Sequence, residues 1–116
     1  MGKFVRVGTA SEFKDGSKKK VTVEGQEIMV ARVGINYYAV ADRCAHMGGD
    51  LSMGTLEGTT ITCPRHGSQY DIRTGKNLRW MRGTGIAATI GKILKTPRGI
   101  VSYKIKVEGD NISVEV

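Results

Sequence analysis

Cysteine and histidine are almost missing from this chain, with two of each among 116 residues. So few thiols leave no disulfide framework of the kind that small exported domains rely on. Proline is equally scarce at two residues, whereas glycine reaches sixteen. That balance suits short strands joined by tight turns better than helical packing or disorder. No apolar run approaches the roughly 20 residues that a membrane helix needs. The start, Met1-Gly2-Lys3-Phe4-Val5-Arg6, lacks the apolar core of a signal peptide. The chain is therefore expected to be soluble and cytoplasmic, with no membrane anchor. Aromatics make up 6% of the residues and no nucleic-acid motif is present, so the net charge of +7 does not point to nucleic acid. No nucleotide-binding glycine fingerprint and no Ser-His-Asp set is available either.

The cysteine and histidine that exist fall in one pattern, Cys44-Ala45-His46 and Cys63-Pro64-Arg65-His66. All four sit at metal-ligand spacing. Each half offers one thiolate and one imidazole, so each loop could give a ligand to each of two metal atoms. A structural zinc would also accept two Cys and two His, but its motifs usually pair like with like in each half. A zinc-stabilised binding module is the alternative from a different class. A Cys44–Cys63 disulfide is a weaker option, since it would leave no thiolate for a metal.

The surrounding sequence is rich in strand signals. Phe4 to Val7 reads as a first strand, and Thr9-Ala10-Ser11-Glu12 has capping-box form and predicts a single helical turn. Lys20 to Glu24 and Glu27 to Val33 are β-branched runs around a turn at Gly25-Gln26. Lys18-Lys19-Lys20 reads as a solvated turn. Gly34-Ile35-Asn36 turns into Tyr37 to Ala41, which delivers Cys44. A hairpin of Gly54 to Glu57 and Thr59 to Thr62 around Gly58 delivers Cys63. Val101 to Val107 and Ile112 to Val116 form a last hairpin around Glu108-Gly109-Asp110-Asn111. About eight short strands at this spacing predict an all-β sandwich or barrel, one domain spanning 1–116, with two loops at hairpin ends.

The ligand pattern and its flanks resemble the Rieske iron–sulfur family. The second loop continues Gly67-Ser68-Gln69-Tyr70-Asp71 and then Arg73-Thr74-Gly75-Lys76, like the family's second cluster loop and the turn behind it. Asn36 to Arg43 resembles the run-in to the first. The resemblance implies a 2Fe–2S cluster, with Cys44 and Cys63 on one iron and His46 and His66 on the other. It further implies that Ser68 and Tyr70 donate hydrogen bonds to cluster sulfurs and raise the reduction potential. Gly48, Gly49 and Gly67 would let backbone N–H groups approach the sulfurs. Where high-potential members carry an extra cysteine pair, this chain has Gly49 and Arg65; its mix of the Ser68 and Tyr70 donors with a loop lacking that pair resembles soluble sulredoxin-like archaeal Rieske proteins, the nearest kind. Both histidines are committed, so a catalytic non-haem iron held by two further His is excluded. The implied function is a one-electron carrier between redox-protein partners, not an enzyme, and the positive charge predicts acidic partner surfaces. A small Rieske subunit of a larger oxidoreductase is the alternative within that fold.

Arg79 to Lys95 is longer than the connection usual in compact Rieske ferredoxins. Ile86, Ile90, Ile93 and Leu94 fall on one helical face. Gly91 costs about 1 kcal/mol against Ala there, and Pro97 would stop a helix. A short helix or strand over the sheet is the expectation for this stretch.

Overall fold

A computed structural model of the chain describes residues 3–43, 50–64, 67–79 and 99–116. The strands among them are β1 Phe4–Thr9, β2 Lys18–Val23, β3 Gln26–Val33, β4 Asn36–Ala41, β5 Thr55–Glu57 and β6 Thr60–Thr62. They continue with β7 Gln69–Asp71, β8 Asn77–Arg79, β9 Ser102–Tyr103, β10 Ile105–Glu108 and β11 Asn111–Glu115. Three antiparallel sheets result, in the orders β1-β11-β10, β2-β3-β4-β9 and β5-β6-β7-β8. The chain is all-β, as its turn chemistry predicts.

The middle sheet explains the apolar run Ile28-Met29-Val30-Ala31, every residue of which is buried. Successive side chains of a strand point to opposite faces. Ile28 and Val30 pack with Phe13, Ala39, Ile112 and Val114 toward the first sheet. Met29 and Ala31 pack with Val40, Leu51, Ile61 and Tyr70 toward the third. A strand covered on both faces has no solvent side, so alternation gives way to continuous hydrophobicity. Burying each larger side chain fully contributes about 1.5–3 kcal/mol.

Several turns differ from expectation. The β2–β3 hairpin turns at Glu24-Gly25, with φ of 49° and 80°, one residue earlier than the sequence suggests. Both values are positive, as a two-residue type I′ turn requires. Lys18, Lys19 and Lys20 lie not in a turn but in β2, opposite Ala31, Val30 and Met29. Because β2 is the edge of its sheet, lysines there also oppose edge-to-edge pairing. The turn after Thr9 is a 3₁₀ helix, Ala10–Glu12, without the capping box. The Thr9 hydroxyl donates to the Glu12 carboxylate at 3.1 Å instead of capping a backbone N–H.

The expected strand from Val101 to Val107 splits, because β9 pairs with β4 and β10 with β11. The chain changes sheets between them. Strands β7 and β8 carry no strand signal in the sequence. Arg79 ends β8, but the rest of the 79–95 stretch lies outside the described residues. Gly75 and Gly99 meet backbone to backbone: a Cβ on Gly75 would lie 2.0 Å from the Ile100 carbonyl oxygen, and one on Gly99 2.4 Å from that of Gly75. The Ile100 N–H donates to the Gly75 carbonyl at 2.8 Å.

Candidate metal centre

The third sheet builds the second loop. β6 runs into Cys63, and the chain returns at β7 with Thr62 opposite Gln69. The Cys63 N–H donates to the Ser68 carbonyl at 2.7 Å, and the Gly67 N–H to the Cys63 carbonyl at 3.2 Å. Gly67 sits at φ 76°, a left-handed backbone that glycine adopts without steric cost. Cys63 is 1% exposed and packs in the apolar cluster with Ile61, Leu51 and Tyr70. Ser68 and Tyr70 are fully buried as well, whereas Pro64 is exposed. Two hydroxyl side chains thus share the interior of a cysteine loop.

The first loop springs from the middle sheet. After β4, Arg43 bridges Asp50 and the Leu51 N–H donates to the Asp42 carbonyl at 3.2 Å. These contacts bring residues 43 and 50 together at the loop's base. The Asp42 side chain is fully buried. Its two oxygens accept the Ser52 N–H at 2.6 Å and the Ser52 hydroxyl at 2.8 Å. Lys20 reaches in from β2, with its Nζ 3.3 Å from Asp50, 3.4 Å from Glu27 and 3.9 Å from Asp42. The hydrogen bond that Lys20 donates to Asp50 raises the Lys20 pKa above its ordinary value, Glu27 adding to it against partial desolvation.

The bases of the two loops touch. A short 3₁₀ helix, Leu51–Met53, follows the first loop, and Gly54 ends it. A Cβ on Gly54 would lie 2.0 Å from the Thr62 carbonyl oxygen, so only glycine allows this approach. Thr62 directly precedes Cys63. The bases of the two loops therefore lie side by side at Gly54 and Thr62.

Of the residues singled out in the sequence, Cys63, Gly67, Ser68 and Tyr70 are brought together on or beside one loop. Cys44, His46, Gly48, Gly49, Arg65 and His66 lie outside the described residues. Among the described residues no three His, Cys, Asp or Glu side chains converge as a metal site. Glu27, Asp42 and Asp50 surround an ammonium instead. The donor set fits an iron–sulfur group, because a thiol-bearing loop with a buried sulfur abuts the base of a second loop that carries the other Cys-x-His. Asp42 and Ser52 carry no sequence signal of this role, and Lys20 reads there only as part of a solvated turn. Asp42 stands two residues before Cys44, but nothing local marks an aspartate as buried.

The Rieske [2Fe-2S] domain family matches residues 3–87 of the chain. The ferredoxin component of the naphthalene 1,2-dioxygenase system of Pseudomonas aeruginosa is 30% identical over 114 residues, covering 98% of this chain and 96% of that protein. The solved ferredoxin of carbazole 1,9a-dioxygenase from Nocardioides aromaticivorans IC177 superposes with a TM-score of 0.79 at 30% identity, covering 96% of this chain and 95% of that one. A chain in the complex of reduced oxygenase and oxidized ferredoxin in carbazole 1,9a-dioxygenase gives 0.76 at 27% identity, with coverage of 96% and 91%.

Proposed function

This chain belongs to the Rieske [2Fe-2S] family and is a ferredoxin, an electron carrier for redox-protein partners, and we propose that Cys44 and Cys63 hold one iron of its 2Fe–2S cluster and His46 and His66 the other. The observation that carries the assignment is the contact of the two loop bases at Gly54 and Thr62, with Cys63 buried beside it. When bound, such a cluster supplies one reversible electron at a potential between about −150 and +300 mV.

The protein's own residues set where in that range it falls. Two neutral imidazoles in place of two thiolates leave the site less negative, which favours taking up an electron. Ser68 and Tyr70 donate to cluster sulfurs in this reading and favour it further. Arg65 adds positive charge, and Gly49 leaves room for backbone donors.

The acceptor we propose is the terminal oxygenase of a dioxygenase-type system, since the ferredoxins it resembles over nearly their full length belong to such systems. That full-length likeness supports a stand-alone carrier, one Rieske domain over 1–116, above a built-in subunit of a larger oxidoreductase. We place it in the cytoplasm. No helix among the described residues is long and apolar enough to cross a membrane. The docking face of the partner is acidic in this reading. Residues 72–107 hold nine of the eighteen Lys and Arg and none of the Asp and Glu. Such a one-signed stretch steers acidic partners and quickens association at low salt.

The test begins with the visible and EPR spectra of the purified protein, together with iron and acid-labile sulfide in equal amounts. His46→Cys and His66→Cys should each lower the potential or abolish the cluster, because every added thiolate brings negative charge. Unchanged spectra and potentials in both variants would refute the ligand assignment.

A further inference from the structure

Asp42 is the fully buried carboxylate at the root of the first loop. A buried charge is costly unless it is hydrogen-bonded and paired, and here every partner belongs to the loop's frame. Both Ser52 donors lie just past the loop's far end, at 2.6 and 2.8 Å. Its own backbone ties the chain to Glu27 on one side and Leu51 on the other. Among the described residues its ion-pair partner is Lys20, 3.9 Å away and shared with Asp50 and Glu27. Arg43, the next residue, is exposed. The carboxylate thus spans the loop mouth and leaves a negative charge two residues from Cys44, only partly offset by Lys20.

We propose that Asp42 is a positioning residue for electron transfer: through Ser52 it fixes the base of the loop bearing Cys44 and His46, and its charge, only partly offset by Lys20, holds the reduction potential down. This rests on the ligand reading above.

The substitutions separate geometry from charge. In Asp42→Asn the amide oxygen still accepts the Ser52 N–H, and the amide nitrogen donates to the Ser52 hydroxyl, which turns to accept. Geometry survives and the charge is gone. Asp42→Ala loses both. Lys20→Met keeps the clamp and removes the cation. In the cluster-bearing protein, Asp42→Asn should favour electron uptake by about tenfold, which is 59 mV for one electron. Lys20→Met should shift the potential the other way and by less, since the ammonium is partly solvated. A purely structural clamp would move neither. Amide exchange in the peptide spanning Leu51 to Gly54 should be at least about tenfold faster in Asp42→Ala and restored in Asp42→Asn.

Equal potentials in parent, Asp42→Asn and Lys20→Met overturn the proposal, and so does unchanged exchange in Asp42→Ala. If Asp42→Ala does not fold, the two charge variants decide. A parent without an iron–sulfur spectrum would instead defeat the ligand reading, and the exchange comparison would then settle the clamp alone.

Discussion

At the base of the second loop, Cys63 and Ser68 join through a backbone bond of 2.7 Å inside an apolar cluster. At the base of the first, a buried aspartate grips a serine, and a lysine from a neighbouring strand is held among three carboxylates. The second loop is a hairpin end within one sheet, so its closure is inherited from the β6–β7 ladder. The first loop joins strands of two different sheets and, among the described residues, has no ladder of its own beyond the Arg43–Asp50 bridge. Side-chain electrostatics do there what main-chain pairing does in the other. Each loop carries one Cys and one His, but in the proposal above the first answers to charge, whereas the second is held by packing.

The contrast breaks most completely where the two bases meet. Gly54→Ala would drive a Cβ into the Thr62 carbonyl, and we expect a loss of about 2–4 kcal/mol with poor cluster retention. A thermal melt should fall by well over about 10 °C. Parent-like melting would mean that the loops do not share this seat.

Within the packed loop, Ser68→Ala and Tyr70→Phe should each lower the potential while leaving the fold intact. A hydrogen bond to a charged acceptor is worth about 1.5–3 kcal/mol, and a tenfold change in the equilibrium is 59 mV for one electron. Shifts of several tens of millivolts follow, read by redox titration. If both variants titrate like the parent, these hydroxyls do not address the sulfurs.

Ile61→Val sharpens the comparison from the apolar side. The residue is fully buried beneath Cys63 and Tyr70, so removing one methyl should cost about 0.5–1.5 kcal/mol. Denaturant unfolding reads this directly, and the potential should barely move. A large potential shift with little loss of stability would reverse the roles assigned to the two loops.

The smallest effect is at the far end of the same hairpin. Arg73 donates to the Asp71 carboxylate at 2.9 Å, and that contact, chiefly its hydrogen bond, holds the Asp71 pKa below its ordinary 3.8. A depressed carboxylate pKa adds stability that is fully present above 3.8 and disappears as pH falls through the folded value. Arg73→Ala should therefore be slightly less stable than the parent at neutral pH and converge with it in strong acid. A difference that persists unchanged in acid would trace to lost packing by the arginine stem.

Much of this was readable in the chain before folding. The proposed ligands stand out by spacing, and β1, β3 and the β5–β6 hairpin by β-branched runs with glycine between them. What escaped depends on contacts far apart in sequence. Gln69-Tyr70-Asp71 and Asn77-Leu78-Arg79 are too short and polar to signal strands alone, and their partners make them so. The switch of sheets between Tyr103 and Ile105 has no local mark. The lysine triplet looks like a surface turn until Glu27, Asp42 and Asp50 are folded around Lys20. Asp42 reads as one more polar residue before a loop, because burial is a property of its neighbours.

The backbone contact of Gly75 with Gly99 bears on how such a carrier can diversify. Strand β8 ends at Arg79, and Gly99 lies against Gly75, only one three-residue strand away. Closing a loop costs only about 0.6 kcal/mol more for each doubling of its length. With Gly75 and Gly99 fixed against each other, changes of length or sequence between them would cost the described strands little. Selection could therefore rewrite the connection for new partners while the two ligand loops stay as they are.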